Sequence, residues 1–407
     1  MSQTDDVGPV VELLATEQQL TRDVGSLLPA LDAAFPTSIV AVLTQFLTDR
    51  IGARSAQVFL ADYDLLRLTL WRDDAAVLPE SVPVDGSVPG RAFVSQTTTV
   101  TTIDEDVVAH LPVSVRAERL GVLAVRLPAL PTASVLQGLE QAAVVLGYVL
   151  ITAGNYTDTV ERARRHRPLE LPAEMQWTQL PVRAYTCAPF SIAGQLVPAY
   201  EVGGDLFDYC VEPAELLVYV TDAMGHGLQS AMLAALANGA LRNARRTGLS
   251  LADQVRSADR VLHGQYGGDK FVTAIAIRLD LASGRGVAVN AGHPELYVLR
   301  DERIQTIALE PQLPMGMFEA TQYVEQPFDL QPGDRLIIVS DGVLDAPAAA
   351  DGVSYGQQRL EGAILATSTA AADEAVRQLV RLLQDYQGVE VKDDATVLCI
   401  DWRGPRR

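Results

Sequence analysis

Aspartates stand beside glycines at the ends of apolar runs in four separate places in this chain. The first two lie close together. Glu201-Val-Gly-Gly-Asp205-Leu-Phe-Asp208 precedes the apolar run Leu216-Leu-Val-Tyr-Val220, and Thr221-Asp222-Ala223-Met-Gly-His226-Gly227 follows it. The third is Arg335-Leu-Ile-Ile-Val339-Ser-Asp341-Gly342, and the fourth is Val391-Lys-Asp393-Asp394, which opens an apolar run ending at Ile400. A carboxylate at a strand end points out of the sheet, and glycine lets backbone carbonyls and a small oxyanion come close. Hard divalent cations such as Mg2+ or Mn2+ take oxygen ligands of this kind and keep several waters. Taken alone, Gly-Gly-Asp is ordinary turn chemistry. Repeated at the mouths of several buried strands, it is the pattern expected of a carboxylate cage for two metals that activates water for in-line attack on phosphorus.

The order Gly-Gly-Asp-x-x-Asp, Asp-x-x-Gly-His-Gly, Asn290-Ala-Gly-His293-Pro294, Ser-Asp-Gly and Asp-Asp-Ala-Thr resembles the SpoIIE/RsbU branch of the metal-dependent protein phosphatases (the PPM family). The resemblance covers roughly residues 170–402. It implies an α+β catalytic domain, an αββα sandwich, holding two Mn2+ or Mg2+ ions. By the same resemblance Asp222 would bridge the metals and the backbone carbonyl of Ala223 would complete one of them. Asp205 would hold that metal directly or through water, and Asp341 and Asp393 would hold the other. Asp394 and Asp208 would stand behind these ligands, although a turn cap is the simpler reading of Asp208. His226 and His293 lie in glycine-flanked loops, open to phosphate contact or proton donation, and His226 equally to a structural role in its turn. Where many eukaryotic relatives carry an aspartate for a third metal this chain has His293, and no arginine in the first strand matches their phosphate ligand.

Length and charge bound what surrounds this domain. The 407 residues allow two or three domains. Acidic residues outnumber basic ones 51 to 32, for a formal net charge of −19, which argues against nucleic-acid or anionic-membrane partners. Cys187, Cys210 and Cys399 are too far apart for a disulfide framework or a zinc spacing and point to a reducing compartment. The first residues lack the features of a signal peptide, and the apolar run Ala142 to Ala153 is short for a bilayer span, so the expected location is the cytoplasm.

Residues 1–24 read as a polar segment. A helix is expected from Ser38 to Ile51, with Ile39, Val42, Leu43, Phe46 and Leu47 on one face. Strands follow at Ser55–Leu60, Leu65–Trp71, Val100–Ile103 and Gly121–Val125. With a closing helix, this pattern over residues 25–155 resembles a GAF sensory domain, with a PAS domain as its nearest competitor. His110 is its one histidine, in what reads as a loop, so no haem, zinc or iron–sulfur ligand set is evident. An apolar pocket for a small-molecule or protein ligand and a plain dimerisation module remain equal readings.

From Ser134 to His166 there is no proline, and a stripe from Leu139 to Val160 at three- and four-residue steps predicts one long helix. It would run through a linker, residues 156–170, into the phosphatase domain, residues 171–402, which opens on Leu171-Pro-Ala-Glu-Met-Gln176. In related phosphatases a helix here joins sensor to catalytic domain and often crosses its twin in a homodimer. The resemblance therefore implies a sensor-regulated protein serine/threonine phosphatase. Its partner would be a phosphorylated STAS-type anti-sigma-factor antagonist, with docking of the linker helix on the helix Leu228–Arg246 as the coupling. A silent phosphoprotein scaffold and a hydrolase of a small phosphorylated messenger are the alternatives.

Overall fold

The computed structural model describes residues 25–71, 80–198, 200, 203–349, 352–388 and 394–405. The chain divides into two compact units, Met1–Arg167 and Pro168–Arg407.

The N-terminal unit is built on a six-stranded antiparallel sheet. Its strands are β1 (Ser55–Ala61), β2 (Arg67–Leu70), β3 (Ser81–Pro83), β4 (Thr99–Ile103), β5 (Asp106–Val115) and β6 (Glu118–Leu127), in the order β3-β2-β1-β6-β5-β4. Helix α1 (Ile39–Ile51) buries Ile39, Leu43 and Leu47 against one face, as its apolar spacing requires. The short helix α2 (Val88–Ser95) buries Ala92 and Phe93 in the cluster on the other face. Strand β5 escapes the sequence reading because Pro112 interrupts an apolar run that otherwise reads as a strand. His110 is therefore not in a loop. It lies in β5 opposite Thr99, is buried, and has its pKa lowered by loss of hydration.

The long linker helix is also corrected. Helix α3 (Ala133–Ala153) ends, and after five intervening residues a separate short helix α4 (Thr159–Arg164) begins. Between them, Gly154-Asn155-Tyr156-Thr157-Asp158 combines a glycine with side chains that compete for backbone groups. Thr157 Oγ1 accepts the Thr159 N–H at 3.2 Å, and Asn155 donates to the Ile151 carbonyl at 3.3 Å. The break turns Val160 into the core that α3 shares with the sheet. Tyr63 donates to Glu161, Arg164 Nε donates to the Ala61 carbonyl at 3.2 Å, and His166 Nδ1 lies 3.2 Å from Asp62 Oδ2. The segment expected to reach onward is thus fastened to the β1–β2 turn. Helix α3 is long and apolar enough to cross a membrane by length and composition, and its Leu139, Ala142, Leu146 and Leu150 are buried in the core of the unit.

The C-terminal unit is a four-layer sandwich. One sheet has five strands, β15-β12-β11-β10-β9: β9 (Asp205–Val211), β10 (Glu215–Ala223), β11 (Val272–Asp280), β12 (Arg285–Ala291) and β15 (Gln326–Asp329). The other has six, β14-β13-β16-β17-β8-β7: β7 (Ala184–Thr186), β8 (Phe190–Val197), β13 (Leu296–Arg300), β14 (Arg303–Ile307), β16 (Arg335–Val339) and β17 (Ala395–Trp402). The stretch Phe328 to Val339 is not one strand. It leaves the first sheet after β15, turns at Pro332-Gly333 and enters the second as β16.

Alternation along β9 and β10 sorts their side chains. Phe207, Tyr209, Leu216, Val218 and Val220 fill the gap between the sheets. Leu206, Leu217, Tyr219 and Ala223 face the helix layer. Besides the short α5 (Leu171–Trp177), that side carries α6 (Leu228–Arg246) and α7 (Leu251–Tyr266), both amphipathic at the expected positions. The short α8 (Asp341–Leu344) follows β16, while α9 (Gly356–Ala366) and α10 (Ala372–Gln387) complete the opposite layer.

Candidate metal and phosphate site

Asp205 is the first residue of β9 and Asp222 the last but one of β10, and the two are direct antiparallel partners. Side chains of paired residues share one face of a sheet. By the alternation above, that face is the gap between the sheets, so both carboxylates sit at its open end. Asp205 is buried and Asp222 half-buried.

The second sheet reaches across to hold Asp205. Ser340 Oγ donates to its Oδ2 at 2.6 Å and Thr396 Oγ1 to the same oxygen at 2.8 Å. The Thr396 N–H in turn donates to Ser340 Oγ at 2.8 Å, which ties the end of β16 to the start of β17. Asp394, just before β17, accepts the backbone N–H groups of Gly204 and Asp205 on its Oδ2. From α5, Gln176 Nε2 donates to the Asp205 carbonyl at 2.7 Å. Four chain segments far apart in sequence thus meet at one sheet edge.

Two glycines make the approach possible. A Cβ on Gly204 would lie 2.6 Å from the Ala223 carbonyl oxygen, and one on Gly342 would lie 1.9 Å from the Asp394 carbonyl oxygen. Gly204 therefore leaves the Ala223 carbonyl accessible beside Asp205. Gly342 brings the start of α8, and with it the exposed Asp341, against the strand that Asp394 opens. The Asp222–Gly227 turn bends with positive φ at Gly225 (92°) and Gly227 (74°), and His226 is exposed between them.

Loss of hydration, then the carboxylates of Asp394 and Asp222, push the Asp205 pKa well above the usual range, against the lowering effect of Ser340 and Thr396. Three carboxylates gathered this closely repel one another, and a divalent cation offsets that repulsion with ligands of the right hardness. The donor set fits such an ion. Asp205, Asp222, the Ala223 carbonyl and Asp341 are brought to the same end of the sandwich, whereas Asp393 lies outside the described residues.

Two other expectations change. Asp208 caps no turn and does not reach the site. It is buried in β9 on the helix side, where Arg242 binds it at 2.7 Å and Arg245 at 2.8 Å. It fastens α6 to the sheet. His293 is buried, its backbone held in a tight turn by Asn290, whose Oδ1 accepts the His293 N–H at 2.8 Å. Burial lowers the His293 pKa to about 4, so its imidazole is neutral at pH 7 and carries no proton to give as an imidazolium. Sequence reasoning passed over Ser340, Thr396 and Gln176 as working residues. All three sit inside the quoted motifs, at positions without a carboxylate.

Among the described residues, a second set of oxygen and nitrogen donors lies in the N-terminal unit, where ligand atoms of Asp62, Asp64 and His166 lie within 4.8 Å of one another. No local motif announces it, because His166 is about a hundred residues from the β1–β2 turn.

Residues 212–403 match the family model described as Stage II sporulation protein E (SpoIIE). The chain is 30% identical over 154 residues to phosphoserine phosphatase RsbP of Bacillus subtilis (strain 168), a match covering 37% of this chain and 38% of RsbP. It is 20% identical over 258 residues to phosphoserine phosphatase RsbU of the same organism, covering 63% of this chain and 76% of RsbU. The solved SiaA-PP2C domain of Pseudomonas aeruginosa is 21% identical with a TM-score of 0.48, covering 56% of this chain and 93% of that one. The family-model match, the sequence relatives and the ordered aspartate motifs agree in making residues 212–403 of the C-terminal unit similar to the SpoIIE/RsbU branch of the PPM phosphatases.

Proposed function

We propose that this chain is a metal-dependent protein serine/threonine phosphatase that hydrolyses phosphoserine or phosphothreonine on a regulatory protein. The observation that carries the reading is the facing pair Asp205 and Asp222 at the mouth of the sandwich, backed by Asp394, Ser340 and Thr396 from the other sheet. The relatives named phosphoserine phosphatases support the substrate class. Asp205, Asp222, the Ala223 carbonyl, Asp341 and Asp393 would hold two Mn2+ or Mg2+ ions, which when bound lower the pKa of a water and neutralise phosphate charge.

The protein's own contribution is placement. Ser340 and Thr396 fix the Asp205 carboxylate in one orientation, and Asp394 locks the Gly204–Asp205 backbone. The buried His293 shapes its turn. The likeness to RsbP and RsbU supports a STAS-type anti-sigma-factor antagonist as substrate and a cytoplasmic partner-switching role. We read the N-terminal unit as a GAF-like sensor acting through residues 156–170, in a homodimer to which the exposed Val144 and Tyr148 of α3 offer an apolar face. Hydrolysis of an aryl phosphate with Mn2+, with Mg2+ and with chelator tests the core of this reading. Turnover should require metal and fall at least a hundredfold in Asp222→Ala and Asp341→Asn; metal-independent turnover, or full activity in both variants, would refute it.

A further inference from the structure

A groove of about 410 Å³ opens beside the Asp222–Gly227 turn, lined by Met224, Gln229, Met232, Leu233, Tyr266 and Lys270. Its walls come from the turn itself, the first turns of α6, the end of α7 and the residues leading into β11. Val272 pairs with Ala223, and the Phe271 carbonyl accepts the Met224 N–H at 3.2 Å, so the approach to β11 runs alongside the turn. Val272 and Ala274 face the helix layer, and Lys270, two residues earlier, falls on that same side. The groove therefore adjoins the turn that follows Asp222 and lies on the helix side of the sheet, away from the gap into which Asp205 and Asp222 point.

Its chemistry is unusual for this chain. Of 32 basic residues only Lys270 and Lys392 are lysines. Many of the arginines are tied up in ion pairs, as Arg242 and Arg245 are with Asp208. Among the described residues no carboxylate pairs with Lys270. Met232, 52% exposed, and Leu228, 43% exposed, leave apolar surface open to solvent beside it. A half-buried lysine with no carboxylate partner among the described residues, on an apolar floor, is complementary to a segment carrying one apolar side chain and one carboxylate.

We propose that this groove holds the part of the phosphoprotein substrate that flanks the phosphorylated residue, with Lys270 pairing to an acidic side chain. The proposal rests on the phosphatase reading. An extended segment advances about 3.3 Å per residue, so two or three positions beyond a phosphoserine at the metal site span about 7–10 Å, along the Asp222–Gly227 turn towards Met224 and Lys270. Lys270 then selects the protein segment, and the carboxylates act on the phosphate.

The test uses the full chain with Mn2+ and two synthetic phosphoserine peptides. Each carries leucine beside the phosphoserine, and they differ only in glutamate or lysine at the second and third positions beyond it. The wild type should favour the glutamate peptide about fivefold in kcat/KM, mostly through KM, which is the ~1 kcal/mol of a solvent-accessible ion pair. Lys270→Met should bring the two peptides level, Lys270→Glu should favour the lysine peptide, and Lys270→Arg should keep the original order. An unchanged preference in Lys270→Met and Lys270→Glu, or no preference in the wild type, overturns the groove assignment while leaving the phosphatase reading intact. No hydrolysis of either peptide by the wild type removes both.

Discussion

Lowering the pH should destabilise the C-terminal unit through His293, by an amount the structure sets. The ring is buried and its Nδ1 lies 3.2 Å from the Pro294 carbonyl oxygen. Burial moves its pKa from 6.5 to about 4. The folded-state pKa is the lower one, so in the window between the two values the unfolded chain binds the extra proton. Stability from this residue is present above about pH 6.5 and is lost as pH falls towards 4. Between pH 7.5 and pH 5 a single group with these two pKa values contributes a loss of about 2 kcal/mol. Urea unfolding of the wild type and His293→Asn at both pH values isolates this contribution, because the carboxylates titrate alike in the two proteins. The wild type should lose about 2 kcal/mol more than the variant over this interval. Parallel losses would mean that His293 is solvated in the native protein, which would reopen its candidacy as a proton donor.

Two substitutions probe how the site is assembled. Gly342→Ala places a methyl group 1.9 Å from the Asp394 carbonyl oxygen, so α8 must move away from β17. A displacement of about 1 Å at a catalytic constellation costs on the order of a hundredfold, and kcat on an aryl phosphate should fall by that much in a protein that still melts cooperatively. Near-normal turnover would detach Asp341 from the site. Asp208→Ala strips the carboxylate from Arg242 and Arg245 and should cost about 3 kcal/mol in urea unfolding. A loss below about 1 kcal/mol would show that both arginines turn to solvent and that α6 is held by apolar packing alone.

The catalytic half was legible because its information is local. A strand-end aspartate beside glycine is readable one segment at a time, and α6 and α10 carry clear apolar faces. What joins the segments was not readable. The hydrogen bonds of Ser340 and Thr396 to Asp205 span more than a hundred residues. Whether Asp208 faces the gap or the helices depends on its strand register against Tyr219. The N-terminal unit was harder because its signals conflict. Pro112 hides β5, and the regular stripe from Leu139 to Val160 continues past a polar break whose compensation, Val160 in the core, is tertiary. Periodicity records which residues are apolar and leaves open where the chain bends to bury them.

If Asp205 and Asp222 face each other to share a divalent cation, calorimetric titration of the metal-free full chain with Mn2+ will register it. The wild type should bind two ions that Asp222→Ala no longer binds. Binding at Asp62, Asp64 and His166, in the other unit, would appear equally in both titrations and cancel in the comparison. Identical titration curves for the two proteins would contradict the account.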